Sequence, residues 1–199
     1  MTAEEIHKAL ADKFGDQVGP LQAGRRDPFC VVKAEGLLEI CSFLKHDPAL
    51  AFDSLMNLSA VEPFKSKTAL LVVYHLYSYQ KRHVFILKVE LDRANANVPS
   101  LQPIWKVADW FEREQYDLLG VNFVGHPDLR RIMLPDDWVG HPLRKDYKEP
   151  LEYHQISHLR ESPLDGFVRL DEQAKKLAAE KSAAAAALVE AAPKKELLQ

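Results

Sequence analysis

Two β-rich runs, Thr68 to Tyr79 and Arg82 to Leu91, leave this chain little topological freedom between residues 68 and 91. The first is dense in β-branched and aromatic residues (Leu71, Val72, Val73, Tyr74, Leu76, Tyr77, Tyr79). The second alternates, with His83, Phe85, Leu87, Val89 and Leu91 on one face and Arg82, Lys88 and Glu90 on the other. Period-2 alternation is the pattern of a strand with one buried face. The junction Ser78-Tyr79-Gln80-Lys81 is too short for a crossover, so the two strands are expected to be antiparallel neighbours.

The flanking sequence supplies helices for the buried face. Thr2-Ala3-Glu4-Glu5 has the form of a capping box, and Ile6, Leu10 and Phe14 follow at helical spacing. Gly19-Pro20 and Arg26-Asp27-Pro28 punctuate the chain, with room for a short strand between them. Phe29 to Lys33 reads as a strand. Glu35 to Lys45 reads as a helix with Leu37, Leu38, Cys41 and Leu44 inward, ended by Asp47-Pro48. Phe52 to Glu62 reads as another strand, and Asn95 to Pro103 as a loop. Ile104 to Leu119 is the clearest helix, with Pro103 at its entrance and Gly120 at its exit. Its apolar stripe is Ile104, Ala108, Phe111 and Leu118, while Asp109, Arg113 and Asp117 are expected on the polar side. The fold class is therefore α+β: a two-layer domain over 1–120, with a mostly antiparallel sheet and packed helices.

Beyond Gly120 regular periods fade. Residues 121–163 carry five prolines and two Gly-His-Pro tripeptides, at 125–127 and 140–142. Such a stretch reads as an extended, irregular arm that docks on a partner. The remainder, 164–199, is expected to be helical or disordered; from Ala174 onward, ten of its 26 residues are Ala, and no function is assigned to it.

Composition excludes several classes. A net charge of -3 argues against a dedicated nucleic-acid binder, which usually shows a basic excess. No apolar run approaches the roughly 20 residues of a membrane span. Glu4 and Glu5 stand where a signal peptide needs a basic end, so export is not expected. The two cysteines, Cys30 and Cys41, sit in apolar contexts and form no CxxC, too few for a cluster or a zinc site of the usual kind.

The window WKVADWFEREQYDLLGVNFVGHPDLRRIMLPDDWVGHPLRKDY, residues 105–147, is the most specific feature. Within it Glu112, Arg113, Glu114, Asp117, His126, Arg130, Arg131, Ile132 and Met133, and then Trp138, His141, Arg144, Lys145, Asp146 and Tyr147, resemble the signature of the C-type (30 kDa) family of subunits of respiratory complex I, NADH:quinone oxidoreductase. The resemblance implies a peripheral-arm subunit on the cytoplasmic side of the inner membrane, touching the membrane only through its complex. It implies no cofactor in this chain, with FMN and Fe-S clusters held by partner subunits. It implies an arm that wraps the D-type quinone-site subunit, in an assembly that passes electrons from NADH to quinone and translocates ions. The alternative is the equivalent subunit of a membrane-bound hydrogenase or a ferredoxin-linked complex.

Physical chemistry points the same way. A Pro-punctuated arm cannot satisfy its own backbone groups, so it must find hydrogen-bond partners elsewhere. Arg130, Arg131, Arg144 and Lys145 alternate with Asp128, Asp136, Asp137 and Asp146, and Arg suits bidentate pairing with carboxylates. Trp138 and the arginines are expected to fasten the arm to its partner. Glu112 and Glu114 lie two apart on a helix, so they cannot serve one substrate as an acid–base pair. His126 and His141 are metal ligands only under a rival reading, that of a stand-alone metalloenzyme. Without a neighbouring Cys, turn or interface duty fits them better.

Overall fold

The computed structural model describes residues 1–23, 27–63, 68–158 and 169–177. The chain divides into two compact units, Met1–Lys148 and Glu149–Gln199. Most of the Ala-rich tail lies outside the described residues.

The first unit is built on a four-stranded sheet of β1 (Phe29–Val32), β2 (Ser54–Val61), β3 (Ala69–Ser78) and β4 (His83–Asp92) in the order β1-β4-β3-β2. β3 and β4 form the expected antiparallel hairpin, in register from Ala69 opposite Asp92 to Ser78 opposite His83. β2 pairs antiparallel with β3, with a bulge between Leu55 and Asn57. β1 adds in parallel on the far side of β4. The crossover that a parallel pair requires is made by the intervening helix, strand β2 and hairpin.

Two helices cover the buried face. α1 (Ala3–Phe14) has both halves of its capping box: the Thr2 side chain accepts the Glu5 N–H, and Glu5 accepts the Thr2 N–H at 2.9 Å. α2 (Leu37–His46) follows a short 3-10 turn. Ile6 and Leu10 of α1 join Leu37, Ile40, Cys41 and Leu44 of α2 in one core with Tyr74, Leu76, Phe85, Leu87 and Val89 of the hairpin. Cys30 and Cys41 are free, fully buried thiols, and burial pushes Cys30 up to about 12. Leu38 departs from the expected inward set: it is 39 % exposed, at the rim of a groove with Phe14 and Phe43. Ile40 takes the inward position instead.

The third helix, α3 (Ala108–Leu119), begins four residues later than the periodicity suggests. Residues 101–107 form turns, in which the Ile104 and Trp105 N–H groups both donate to Leu101 O. The expected loop at 95–103 contains β5 (Asn97–Pro99), which pairs in parallel with β6 (Asn122–Val124) just beyond α3. This ladder joins the segments that flank α3, with Val98 and Phe123 buried. α3 packs on edge strand β2, where Gln115 Oε1 accepts the Ala60 N–H at 2.9 Å. That bond occupies one of the edge donors that would otherwise invite foreign strands.

The first unit includes residues 121–148, so the segment expected as an extended arm begins inside it. The second unit contains a small hairpin of β7 (Glu152–Tyr153) and β8 (Ile156–Ser157), turning through His154 and Gln155 with positive φ. Residues 169–177 are helical. Among the described residues, no helix is long and apolar enough to cross a membrane.

Candidate functional site

α3 buries two of the three charged residues that its periodicity places outside, Arg113 and Asp117, and Glu112 beside them. Glu112 and Asp117 are fully buried and Arg113 is 7 % exposed, whereas Trp110 is 59 % exposed. A buried charge is tolerated only when hydrogen-bonded or paired, and each of these finds its partners in segments distant in sequence.

Asp117 is the centre of the arrangement. Its Oδ2 accepts three consecutive backbone N–H groups, from Ile132 (3.1 Å), Met133 (2.8 Å) and Leu134 (2.9 Å). Its Oδ1 accepts Arg131 Nη1 at 2.6 Å. Burial alone would raise the Asp117 carboxyl, but these N–H groups and the guanidinium outweigh it and hold the pKa below the usual value. Arg131 also donates to Trp138 O (3.0 Å) and Gly140 O (3.3 Å), tying the two halves of the 126–147 segment together. Arg113 reaches the same segment through Arg130 O and Arg131 O.

The second Gly-His-Pro tripeptide closes the C-terminus of α3. The last four carbonyls of a helix have no partner within it. Here Tyr116 O accepts the Gly120 N–H, Asp117 O accepts His141 Nδ1 at 2.8 Å, Leu118 O accepts the Leu143 N–H at 3.1 Å, and Leu119 O accepts Arg144 Nε at 2.7 Å. Arg144 thus sets a cation at the negative end of the helix dipole. Gly120 is left-handed (φ 71°), and a Cβ there would lie 2.6 Å from His141 Nε2 and 2.9 Å from Arg144 Nη2. Gly120→Ala is therefore expected to lower stability by about 2–3 kcal/mol, combining left-handed strain with a displaced cap. Equilibrium denaturation would check this; a loss under about 0.5 kcal/mol would mean that the clasp is dispensable.

The first Gly-His-Pro tripeptide does different work. The His126 side chain is fully buried between Asp109 Oδ1 (3.1 Å) and Glu112 Oε2 (3.9 Å). Its Nδ1 accepts the Asp128 N–H at 3.0 Å. Glu112 accepts Ser100 Oγ (2.5 Å) and the Leu101 N–H (2.7 Å). Burial pushes Glu112 up to about 7, partly opposed by those two donors and reinforced by the Asp109 charge. Glu114 lies half-buried on another side of the helix, so the two glutamates do not converge. His126 and His141 are held apart on separate protein partners. The described residues contain no group of three or more His, Cys, Asp or Glu that could hold a metal ion.

The end of the segment is fastened to the sheet. Glu62, beyond β2, accepts the Lys145 N–H at 2.8 Å and pairs with Arg93 Nε at 2.7 Å. Arg93 in turn pairs with Asp146. Tyr147 packs its ring over Gly140, where a Cβ would approach within 3.2 Å. Arg130 pairs with Asp128 at the surface, and both side chains are more than half exposed. The arginines, expected to reach a partner, thus divide: Arg131 and Arg144 direct donors to α3 of their own chain, and Arg130 faces outward.

The folded geometry has counterparts. Residues 30–153 match the family described as respiratory-chain NADH dehydrogenase, 30 Kd subunit. The chain belongs to this family. Among its relatives, the C-type subunit of NADH-quinone oxidoreductase from Geobacter metallireducens is 42% identical over 139 residues, covering 69% of this chain and 85% of the relative. The same subunit from Chlorobium phaeobacteroides is 38% identical over 161 residues, covering 77% and 96%. Among solved structures, a trypsin-resistant fragment of Nqo5 superposes with a TM-score of 0.53 at 25% identity, covering 62% of this chain and 98% of the fragment. A chain of an archaeal membrane-bound sulfane sulfur reductase superposes with a TM-score of 0.63 at 22% identity, covering 80% and 96%, a likeness of fold alone. Within the 30 Kd family match lie both the α3 residues and the 126–147 segment that wraps them. The sequence motif contains most of the residues that meet here, but it does not reveal Ser100, Asp109 and Glu62 as their partners. Only Asp109 gives a signal, as a charge one turn ahead of Arg113.

Proposed function

We propose that this chain is a structural, non-catalytic C-type subunit of an NADH:quinone oxidoreductase. It scaffolds the D-type quinone-site subunit on the cytoplasmic side of the membrane and leaves electron transfer to cofactors in other subunits. One observation carries the reading. Segment 126–147 spends its polar groups inward on α3 while turning Met133 (62 % exposed), Val139 (84 %) and Leu143 (58 %) outward. Large apolar side chains presented on a rigidly held irregular segment are what a docking surface needs. Trp110, 59 % exposed on α3, and the half-buried Trp138 add aromatic anchors of the type that dominates interfaces. Asp109, Glu112, Arg113 and Asp117 of α3 all have protein partners, which fits a scaffold better than a reacting site.

The test is an affinity pull-down of the tagged full chain from its native membranes in mild detergent. Recovery of a D-type subunit with flavin- and cluster-bearing subunits supports the proposal. Nickel–iron hydrogenase subunits would transfer the chain to the alternative complex, and recovery of the chain alone would overturn both. Val139→Asp combined with Leu143→Asp is expected to reduce recovered partner at least about tenfold, or about 1.4 kcal/mol of affinity, without changing the melting temperature of the isolated chain. Undiminished recovery would remove the docking role of this segment.

A further inference from the structure

We propose that Asp109, Glu112 and His126 form a proton-operated latch that holds the 126–128 turn, and with it the start of the docking segment, against α3. The three side chains come from two separate elements and meet within 4 Å: His126 Nε2 is 3.1 Å from Asp109 Oδ1 and 3.9 Å from Glu112 Oε2. His126 and Glu112 side chains are fully buried, while Asp109 is 28 % exposed and forms the edge through which protons exchange with solvent.

The hydrogen bonds fix the proton count of the closed latch. His126 Nδ1 accepts the Asp128 N–H, so the ring is neutral with its proton on Nε2, pointed at Asp109. One imidazole N–H cannot serve two carboxylates. With Glu112 protonated, the site holds a single negative charge, on Asp109. When Glu112 loses its proton, a second negative charge appears in a largely desolvated site, where repulsion is poorly screened. The cluster relieves this by separating α3 from the turn, with net loss of one proton, so the latch opens as pH rises. That burial pushes Glu112 up to about 7 places this event near neutrality.

Among the described residues, the surrounding groups do not supply a compensating cation. From the loop after β5, Ser100 and the Leu101 N–H face Glu112. From β3 comes the fully buried Tyr74 phenol, whose pKa is raised well above its usual value by burial first, then by Cys41 and by Glu112 within its reach. β2, which also packs on α3, carries no titratable residue. On α3 itself, Arg113 is turned toward Arg130 O and Arg131 O. Beyond the turn, Asp128 pairs with Arg130 at the surface.

The test is amide hydrogen exchange of the full chain between pH 5.5 and 8.5, corrected for the intrinsic pH dependence of exchange. Protection at 126–130 is expected to fall at least about tenfold across neutrality in the parent and to stay level in Glu112→Gln, which mimics the protonated acid. Asp109→Asn, lacking the second carboxylate, should move the midpoint to lower pH and shrink the fall, because the Asp109 charge both raises Glu112 and supplies the repulsion that opens the latch. Glu114→Gln should behave as the parent. Level protection in the parent, an unchanged fall in Glu112→Gln, or an unmoved midpoint in Asp109→Asn would each overturn the latch.

Discussion

Asp117→Asn is expected to destabilise the folded chain by about 3 kcal/mol at pH 7, a large effect for a single polar substitution. The carboxylate uses both oxygens on donors: three backbone N–H groups on Oδ2 and the Arg131 guanidinium on Oδ1. An amide has one oxygen. Turned one way, its NH2 opposes the guanidinium; turned the other, it opposes three N–H groups. Either leaves buried donors unsatisfied, and Arg131, 17 % exposed, loses its counter-charge. The pH dependence has a definite sign. Because the folded pKa is lowered, this carboxylate stabilises the fold above its ordinary value of 3.8 and loses that contribution as pH falls through the folded pKa. The gap between parent and Asp117→Asn should therefore narrow in acid. Urea unfolding at pH 7 and in acid measures both points. A cost below about 1 kcal/mol at pH 7 would show that Asp117 does not organise the segment.

How far the sequence reaches depends on which physical signal each residue carries. The β3–β4 hairpin is legible because alternation and a short junction are local, and His83, Phe85, Leu87, Val89 and Leu91 all lie buried as their alternation requires. The α1 capping box and the Gly120 stop are legible for the same reason. β5 and β6 are not. Three-residue strands have no measurable period, and their parallel pairing depends on α3 bringing Asn97 opposite Asn122. The start of α3 is misplaced by periodicity because Ile104 and Trp105 are apolar at helical spacing, yet Leu101 O captures both of their N–H groups in a turn.

The site shows a deeper limit. Periodicity equates polar with wet, and on that basis Asp109, Arg113 and Asp117 belong on the solvent side of α3. Arg113 and Asp117 are buried instead, because residues 130–134 bring backbone groups that satisfy them. That information is not in the helix. It lies in an irregular segment more than ten residues away, whose own backbone lacks regular partners. The two deficits cancel: an irregular segment short of hydrogen-bond partners and a helix rich in buried charge become one unit. The clasp at Gly120 repeats the exchange, since orphan carbonyls of α3 meet His141 and Arg144. A segment anchored in this way can expose Val139 and Leu143 without collapsing onto its own core, which is the physical basis of the docking surface proposed for it.

Stability should also fall as pH rises from about 4.5 to 7, a trend opposite to that of an ordinary buried ion pair and traceable to Glu112. Its folded pKa of about 7 lies above the value of 4.5 for a free side chain, so the folded state binds more protons in that window. The stabilisation is complete below 4.5 and is lost as pH climbs through 7, a total of about 3 kcal/mol at roughly 1.4 kcal/mol per unit. Glu112→Gln keeps the shape of the protonated acid. Its oxygen accepts the Leu101 N–H, and its NH2 faces Ser100 Oγ, which accepts as readily as it donates. The variant should match the parent near pH 4.5 and exceed it by about 2–3 kcal/mol at pH 8. Chemical denaturation of both proteins at these two pH values reads the difference directly. Equal stability at pH 8 would mean that Glu112 ionises in the folded chain without cost, through water or a rearrangement of His126 that relieves its burial.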